Sequence, residues 1–537
     1  MAIQRTRMAA TATAFFVTTL LAVAGSAAPA LAKQPGPPLA PNTYFTMAPD
    51  GSSGSKVGGE NIPNIDSVKA TIRAYYRANS AGLSNKTSSP YISELASIQT
   101  RALAKLPTVR PGAKKAIVFD ADDTTLWTYD MEDNLMHFNF DPGLQATWVF
   151  GELFPATPGM VDFVDTAQAK GYSIFGITGR RSAQEAATVG NLKKVGFTAF
   201  NADNFYTKWD GPDANKPSYV SCVAVCTTVE FKANTRKHIE ADLGYDIVLN
   251  VGDQWSDLQG GYADKALKLP NPTYYLPSPD LPGVREPNLA PRGHFRMKPD
   301  GSSGLTAGGE GIPNIDSVKA TIRTYYGAGS DGISNKDSSP YITELARIES
   351  RHTKRLVNEC QRLVRKGASP AVVFDADDTT LWTYDMEDHA MHFNFDPGVQ
   401  NIEWVQPERF PATPGMPALV NAVGDAGCTV VGLTGRRANQ SEATLGNLAK
   451  VGYTAFTADN YYTKWASGAT PDPAIYPAGS PCADSVCSTI EYKSAVRAYV
   501  TAQGYDIIAN FGDQYSDLIG GYADRSVKLP NPTYYLP

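Results

Sequence analysis

Residues 45–277 of this 537-residue chain return as residues 295–537, in places letter for letter. Pro49-Asp50-Gly51-Ser52-Ser53-Gly54 recurs as Pro299-Asp300-Gly301-Ser302-Ser303-Gly304, and Asn271-Pro272-Thr273-Tyr274-Tyr275-Leu276-Pro277 recurs as the last seven residues. A period of roughly 250 residues is far too long for a solenoid unit, so each copy must be a complete domain with its own core. Between the copies, residues 278–292 carry Pro279, Pro282, Pro287 and Pro291. That composition suits a semi-rigid, extended linker. The organisation expected is a leader over 1–32, one domain over 33–277, the linker, and a second domain over 293–537.

The leader reads as a secretory signal. Arg5 and Arg7 precede a largely apolar run over 8–24, and Ala30-Leu31-Ala32 supplies a small-residue cleavage site, placing cleavage after Ala32. The apolar run is short and passes into Gly25, Ser26 and Pro29 without a stop-transfer flank, which argues against a membrane anchor. An exported protein with no membrane attachment after signal removal is expected. The formal charge of −6 argues against nucleic acid as the main partner. Cys222 and Cys226 stand at the place matched by Cys482 and Cys487, so local disulfides of an oxidising compartment are expected. A joint zinc site is the rival, but no histidine pair lies nearby. Cys360 and Cys428 occur only in the second copy, and their pairing is left open.

Within each copy the pattern runs from helices to alternating strands and helices. In the first copy, Asn64 can cap a helix whose apolar face is Ile65, Val68, Ile72 and Tyr75. Ser89-Pro90 opens a second helix. Apolar strands are expected over 116–119, 173–177, 247–251 and 266–269, with helices from about 182 and over 230–243. This alternation predicts an α/β fold with a parallel sheet flanked by helices and a helical N-terminal extension.

The first of those strands runs into Asp120-Ala121-Asp122-Asp123-Thr124, and its twin runs into Asp375-Ala376-Asp377-Asp378-Thr379. Acids packed against the end of a buried strand are costly unless a cation or strong donors meet them. Ligands of open parallel sheets bind at that end. Three more polar features recur in the same order: Thr178-Gly179-Arg180-Arg181, Lys232 early in its helix, and Gly252-Asp253-Gln254-Trp255-Ser256-Asp257. The second copy has Thr434, Arg436, Lys493, Asp513 and Asp517. Carboxylates, a lysine, a hydroxyl and a helix N-terminus suit phosphoryl transfer. Oxygen ligands favour Mg2+, a lysine neutralises phosphate charge, one aspartate can attack phosphorus, and a second can move the leaving-group proton. An EF-hand-like loop is the alternative for D-x-D-D-T, but Thr125 and Met131 replace its glycine and closing glutamate. Gly51 to Gly59 lacks phosphate-loop spacing and reads as a surface loop.

These motifs resemble the haloacid dehalogenase (HAD) superfamily. I-T-G-R-R, Phe231-Lys232 and Tyr492-Lys493, G-D-Q-W-S-D and K-L-P-N-P-x-Y-Y resemble its subfamily IIIB, the acid phosphatases that include plant vegetative storage proteins. The resemblance implies two tandem HAD-like Rossmannoid domains and a secreted, Mg2+-dependent phosphomonoesterase acting on small phosphate esters. It makes Asp120 and Asp375 nucleophiles, and Asp122 and Asp377 general acid/bases. Thr178, Lys232, Thr434 and Lys493 would bind phosphate. Mg2+ would be held by Asp120, the backbone carbonyl of Asp122, and Asp253, and in the second copy by Asp375, Asp377 and Asp513, with Asp257 and Asp517 in support. The aromatic segment after each first motif would lie over the cavity mouth, making Trp127, His137, Phe138 and His392 candidate substrate contacts beside Arg180 and Arg436. A non-catalytic storage protein and a phosphotransferase are the alternatives.

Overall fold

Lys115–Phe119 (β1) is five residues long, and its apolar side chains are buried on both faces. A strand covered on both sides belongs in the middle of a parallel sheet with helices above and below. In the computed structural model, β1 pairs in parallel with Ser173–Arg181 (β2) and Asp246–Gly252 (β4). Phe205–Lys208 (β3) and Ala266–Lys268 (β5) complete a five-stranded sheet in the order β3-β2-β1-β4-β5. The order reverses at β1, so the crevice beyond its carboxyl end is the switch point at which such sheets bind ligands. The structure describes residues 62–211, 216–222, 225–276, 312–466, 468–480, 482–483 and 486–536. The expected leader, the linker and the glycine-rich loop at 51–59 lie outside them.

The helices follow local rules. Ile65–Tyr76 (α1) is capped by the Asn64 side chain, which accepts from the backbone N–H of Asp66 at 3.0 Å. Pro90–Ala104 (α2) starts on Ser89 with proline in its first turn. Pro142–Phe150 (α3), Met160–Ala169 (α4), Glu185–Lys194 (α5), Thr228–Ala241 (α6) and the single turn Trp255–Leu258 (α7) follow. The two extension helices dock through aromatic rings. Tyr76 stacks on Tyr129 at 3.9 Å between centroids, and Tyr91 on Trp127 at 5.4 Å.

The second copy repeats this plan, with Ile315–Tyr326 (α8), Pro340–Arg365 (α9), Pro370–Phe374 (β6), Met416–Asp425 (α10), Thr429–Arg437 (β7), Ser441–Lys450 (α11), Tyr461–Lys464 (β8), Thr489–Ala502 (α12), Asp506–Gly512 (β9), Tyr515–Leu518 (α13) and Ser526–Lys528 (β10). Its sheet has the same order, β10-β9-β6-β7-β8, all parallel.

Three features depart from expectation. β3 and β8 are short edge strands whose alternating residues carry no long apolar run, so periodicity passes over them. β2 continues to Arg181, four residues past the expected end at Ile177, with a register break between Thr178 and Arg181. α9 has 26 residues against 15 in α2. Pro107 and Pro111 follow the end of α2, while no proline or glycine interrupts 341–366. The added turns are tied down by a disulfide between Cys360 and Cys428, just before β7. Cys222 pairs with Cys226 and Cys482 with Cys487, as expected.

Candidate active site

Asp120 is the first residue past β1, and its backbone N–H donates to the carbonyl of Val251 at 3.0 Å, so the sheet ladder itself sets its position. Its side chain is 8% exposed and meets Lys232, which reaches in from the second turn of α6. Lys232 Nζ donates to Asp120 Oδ1 at 2.5 Å and to Asp257 Oδ1 at 2.6 Å. Lys493 makes the same two bonds to Asp375 and Asp517, at 2.5 and 2.6 Å. Oxygens of Asp120, Asp253 and Asp257 lie within 4.8 Å of one another, as do those of Asp375, Asp513 and Asp517.

Burial and the neighbouring acids push the Asp120 carboxyl well above its ordinary range, while Lys232 pulls it back. Asp253 is raised to about 7, chiefly by burial and by Asp257. The Lys232 ammonium is raised despite its burial because Asp120 and Asp257 flank it. Lys232 bonds two of the three carboxylates and Lys268 adds positive charge near Asp253, yet mutual repulsion still raises Asp120 and Asp253, so a cation bound among the three would relieve it. The cluster's donors are hard oxygens, which fit a divalent cation such as Mg2+. The hydroxyl of Ser256, buried in the cavity wall without a hydrogen-bond partner among the described residues, is one more polar group there that a ligand could meet.

Gly252 permits this cluster. A Cβ on it would lie 2.4 Å from Asp257 Cβ, so only glycine lets the loop fold back and return Asp257 to the strand end. Gly512 makes the same approach to Asp517.

Asp122 points elsewhere. Arg180 holds it through Nη2 to Oδ1 at 2.6 Å and Nε to Oδ2 at 3.1 Å. Arg180 also donates to Thr188 at 3.0 Å, which fixes the guanidinium plane. Arg436 and Asp377 repeat the fork at 2.6 and 3.2 Å. Thr178 and Thr434 are fully buried, each accepting from the backbone N–H of the arginine two residues on at 3.2 Å.

A cavity of about 550 Å³ in the first copy is lined among others by Asp120, Asp122, Arg180, Lys232 and Asp257, while the expected phosphate contacts Thr178 and Thr434 line neither this cavity nor its twin. Its twin of about 630 Å³ is lined by Asp375, Asp377, Arg436, Lys493, Asp513 and Asp517. Not every expected contact is brought there. Trp127 is buried beneath the extension helices, with Lys86 over its ring at 4.1 Å, and does not line the first cavity. His137 and His392 are exposed, in left-handed backbone at φ 48°, and line neither cavity. Phe138 is buried edge-on against Tyr129 and does not line the first cavity, although its twin Phe393 lines the second. The aromatic ring at each mouth is instead Phe140 or Phe395, 65% and 64% exposed.

Other participants carry weaker sequence signals. Asp123, at φ 48°, turns away from the cavity and accepts from the Thr128 backbone at 3.0 Å and hydroxyl at 2.5 Å. Asn271 donates to Asp253 Oδ2 at 2.7 Å and Tyr274 O–H to the same oxygen at 3.2 Å, so the N-P-x-Y-Y motif braces the acid cluster. Glu132, in a turn after the first motif, lines the cavity with its carboxyl pushed well up by burial.

Comparison with known proteins gives the family. The profile of the family described as HAD superfamily, subfamily IIIB (Acid phosphatase), matches residues 52–277 and 339–537. Vegetative storage protein 1 of Arabidopsis thaliana is 30% identical over 225 residues, 41% of this chain and 75% of that protein. Stem 28 kDa glycoprotein of Glycine max is 33% identical over 136 residues, 25% of this chain and 47% of its own length. Acid phosphatase 1 of Solanum lycopersicum is 31% identical over 175 residues, covering 30% of this chain and 63% of its own. Among solved structures, the Class C acid phosphatase from Bacillus anthracis matches 39% of this chain and 86% of its own at 21% identity and a TM-score of 0.29.

Proposed function

The chain belongs to subfamily IIIB of the HAD superfamily, the acid phosphatases, and on that premise we propose that it is a secreted, Mg2+-dependent phosphomonoesterase with two complete sites. The observation that carries this reading is the doubled constellation itself. In both copies a buried lysine bridges a strand-end aspartate to a second aspartate, beside an arginine-held aspartate at one cavity.

In this reading, Asp120 attacks the phosphorus of a bound monoester, forming an aspartyl-phosphate and expelling the alcohol. Asp122, fixed by Arg180, gives its proton to the leaving oxygen and takes one from the water that then frees inorganic phosphate. Lys232 and the N-terminus of α6, where Thr228 lines the cavity, face the phosphate oxygens. Asp120, Asp253 and the backbone carbonyl of Asp122 would hold Mg2+, with Asp257 in support. When bound, the ion supplies positive charge against the phosphoryl oxygens and the acid cluster. Asp375, Asp377, Lys493, Asp513 and Asp517 take the same parts in the second copy.

The substrates proposed are small phosphate monoesters, which a cavity of this size admits. Export fits the three disulfides and the leader composition. No helix among the described residues is long and apolar enough to cross a membrane. The names of the plant relatives favour a second reading, a storage protein that keeps the fold without turnover. Hydrolysis of an aryl phosphate, with and without chelator, separates the two. Chelator-sensitive phosphate release supports the phosphatase, and none in the presence of Mg2+ supports storage.

A further inference from the structure

The two copies meet through reciprocal contacts, and those contacts reach both cavities. Asn314, which caps α8 of the second copy, donates to the carbonyl of Tyr274 at 2.7 Å and of Asn271 at 3.2 Å in the first. Asn64, capping α1, does the same to Tyr534 at 2.7 Å and Asn531 at 3.3 Å. The Ile315 N–H donates to Pro272 and the Ile65 N–H to Pro532, both at 2.9 Å. This is an isologous interface, of the kind a twofold homodimer makes, formed within one chain.

From its first turn onward, each helix reaches the other copy's site. Asp316 lines the first cavity, and its Oδ2 accepts from the Tyr275 backbone N–H at 3.1 Å. Asp66 lines the second cavity and accepts from Tyr535 at 3.1 Å. Lys319, almost fully buried, donates to the Phe138 carbonyl and to Asn139 Oδ1 at 2.8 Å, in the segment leading to Phe140 at the first mouth. Lys69 makes the corresponding bonds to Phe393 and to Asn394 at 3.1 Å. Asn139 and Asn394 then cross to the carbonyls of His392 and His137, at 3.0 and 3.1 Å.

We propose that each catalytic cavity is a composite of both copies: α8 completes and positions the first site through Asp316 and Lys319, and α1 completes the second through Asp66 and Lys69. The duplication then supplies each site with a wall that its own copy does not provide. Asp316 and Lys319 are positioning residues. They hold the 272–275 loop, whose neighbour Asn271 braces Asp253, and the 138–139 segment that leads to Phe140 at the mouth. This rests on the phosphatase reading, but the contacts stand without it.

The test reads each site alone in the full-length chain. Asp375→Asn leaves the first site as the reporter, and Asp120→Asn leaves the second. Into each parent go Asp316→Asn, Lys319→Ala and the conservative Lys319→Arg. The expected result is crossed: KM for an aryl phosphate rises about tenfold, the scale of one lost hydrogen bond to a charged group, at the first site, and several times less at the second. Asp66→Asn and Lys69→Ala give the mirror pattern, and arginine restores more of the loss than alanine. A defect that merely weakens the fold lowers both sites together. Equal effects on both sites, or larger effects on the substituted copy's own site, overturn the proposal. Calorimetric titration of the same variants with inorganic phosphate reads the crossing without turnover. If neither parent hydrolyses ester while phosphate affinity still crosses, the composite sites stand and the phosphatase reading fails.

Discussion

Arg180 and Asp122 are joined by a two-pronged contact, Nη2 to Oδ1 at 2.6 Å and Nε to Oδ2 at 3.1 Å. A fork of this kind fixes the plane of the carboxylate as well as its distance. In the proposed mechanism that plane aims the proton donor at the leaving oxygen. Arg180→Ala in an Asp375→Asn chain is therefore expected to lower kcat by about 10² or more, the scale of a misplaced general acid. The loss should be greater for an alkyl phosphate, which needs protonation to leave, than for an aryl phosphate with an acidic phenol. Comparing kcat on the two esters checks this, and equal losses contradict it.

Lys232 joins the Asp120 and Asp257 carboxylates, at 2.5 and 2.6 Å. Removing one partner from a buried ionic cluster leaves the others uncompensated, at a cost of about 3–5 kcal/mol. Lys232→Met should lower the first copy's stability by that order in chelator, measured by denaturant unfolding. Added Mg2+ should recover part of the loss, because a cation at the acid cluster restores positive charge beside it.

Glu349 carries a pH signature that the first copy lacks. Burial raises its carboxyl to about 8, and its Oε1 has no hydrogen-bond partner among the described residues. The position holds Gln99 in the first copy, which donates to the carbonyl of Pro158 at 2.8 Å. A carboxyl raised from 4.5 in the unfolded chain to about 8 in the folded one contributes stability below pH 4.5 and loses it as pH rises through 8. Glu349→Gln should therefore raise Tm at pH 8 and change it little at pH 4.5. A variant whose Tm gain is the same at both pH values contradicts the assignment.

Much of this was legible in the residues. The strand-end acids, Lys232, Lys493 and the doubled plan carry strong patterns, because buried strands and charged motifs differ so sharply in composition. Trp127 and His137 illustrate the limit. Their spacing placed them in a polar-aromatic segment, but the left-handed turn at His137 and Phe138 redirects the chain, and Trp127 is drawn into the tyrosine cluster of α1 and α2. Asp316 and Lys319 were invisible as site residues, since their role exists only where one copy touches the other. No periodicity within a copy encodes that contact.

The Cys360–Cys428 disulfide closes a span of 68 residues and pins the extra turns of α9 in the second copy alone. Cys360→Ser with Cys428→Ser should destabilise that copy by about 2–4 kcal/mol. Calorimetry should then show the second copy unfolding earlier while the first keeps its transition. A single shared transition for both copies would instead indicate that they unfold as one unit.

The central claim is that Asp120 and Asp375 each attack phosphorus. The most direct measurement is acid-quench mass spectrometry of the enzyme during turnover of a phosphate ester with Mg2+. It should find a phosphoryl group on the peptides holding Asp120 and Asp375, on one peptide alone in each single Asp→Asn chain, and on neither in the double variant, which should also release no phosphate. Steady phosphate release from the double variant, or phosphoryl transfer to any other residue, would contradict the account.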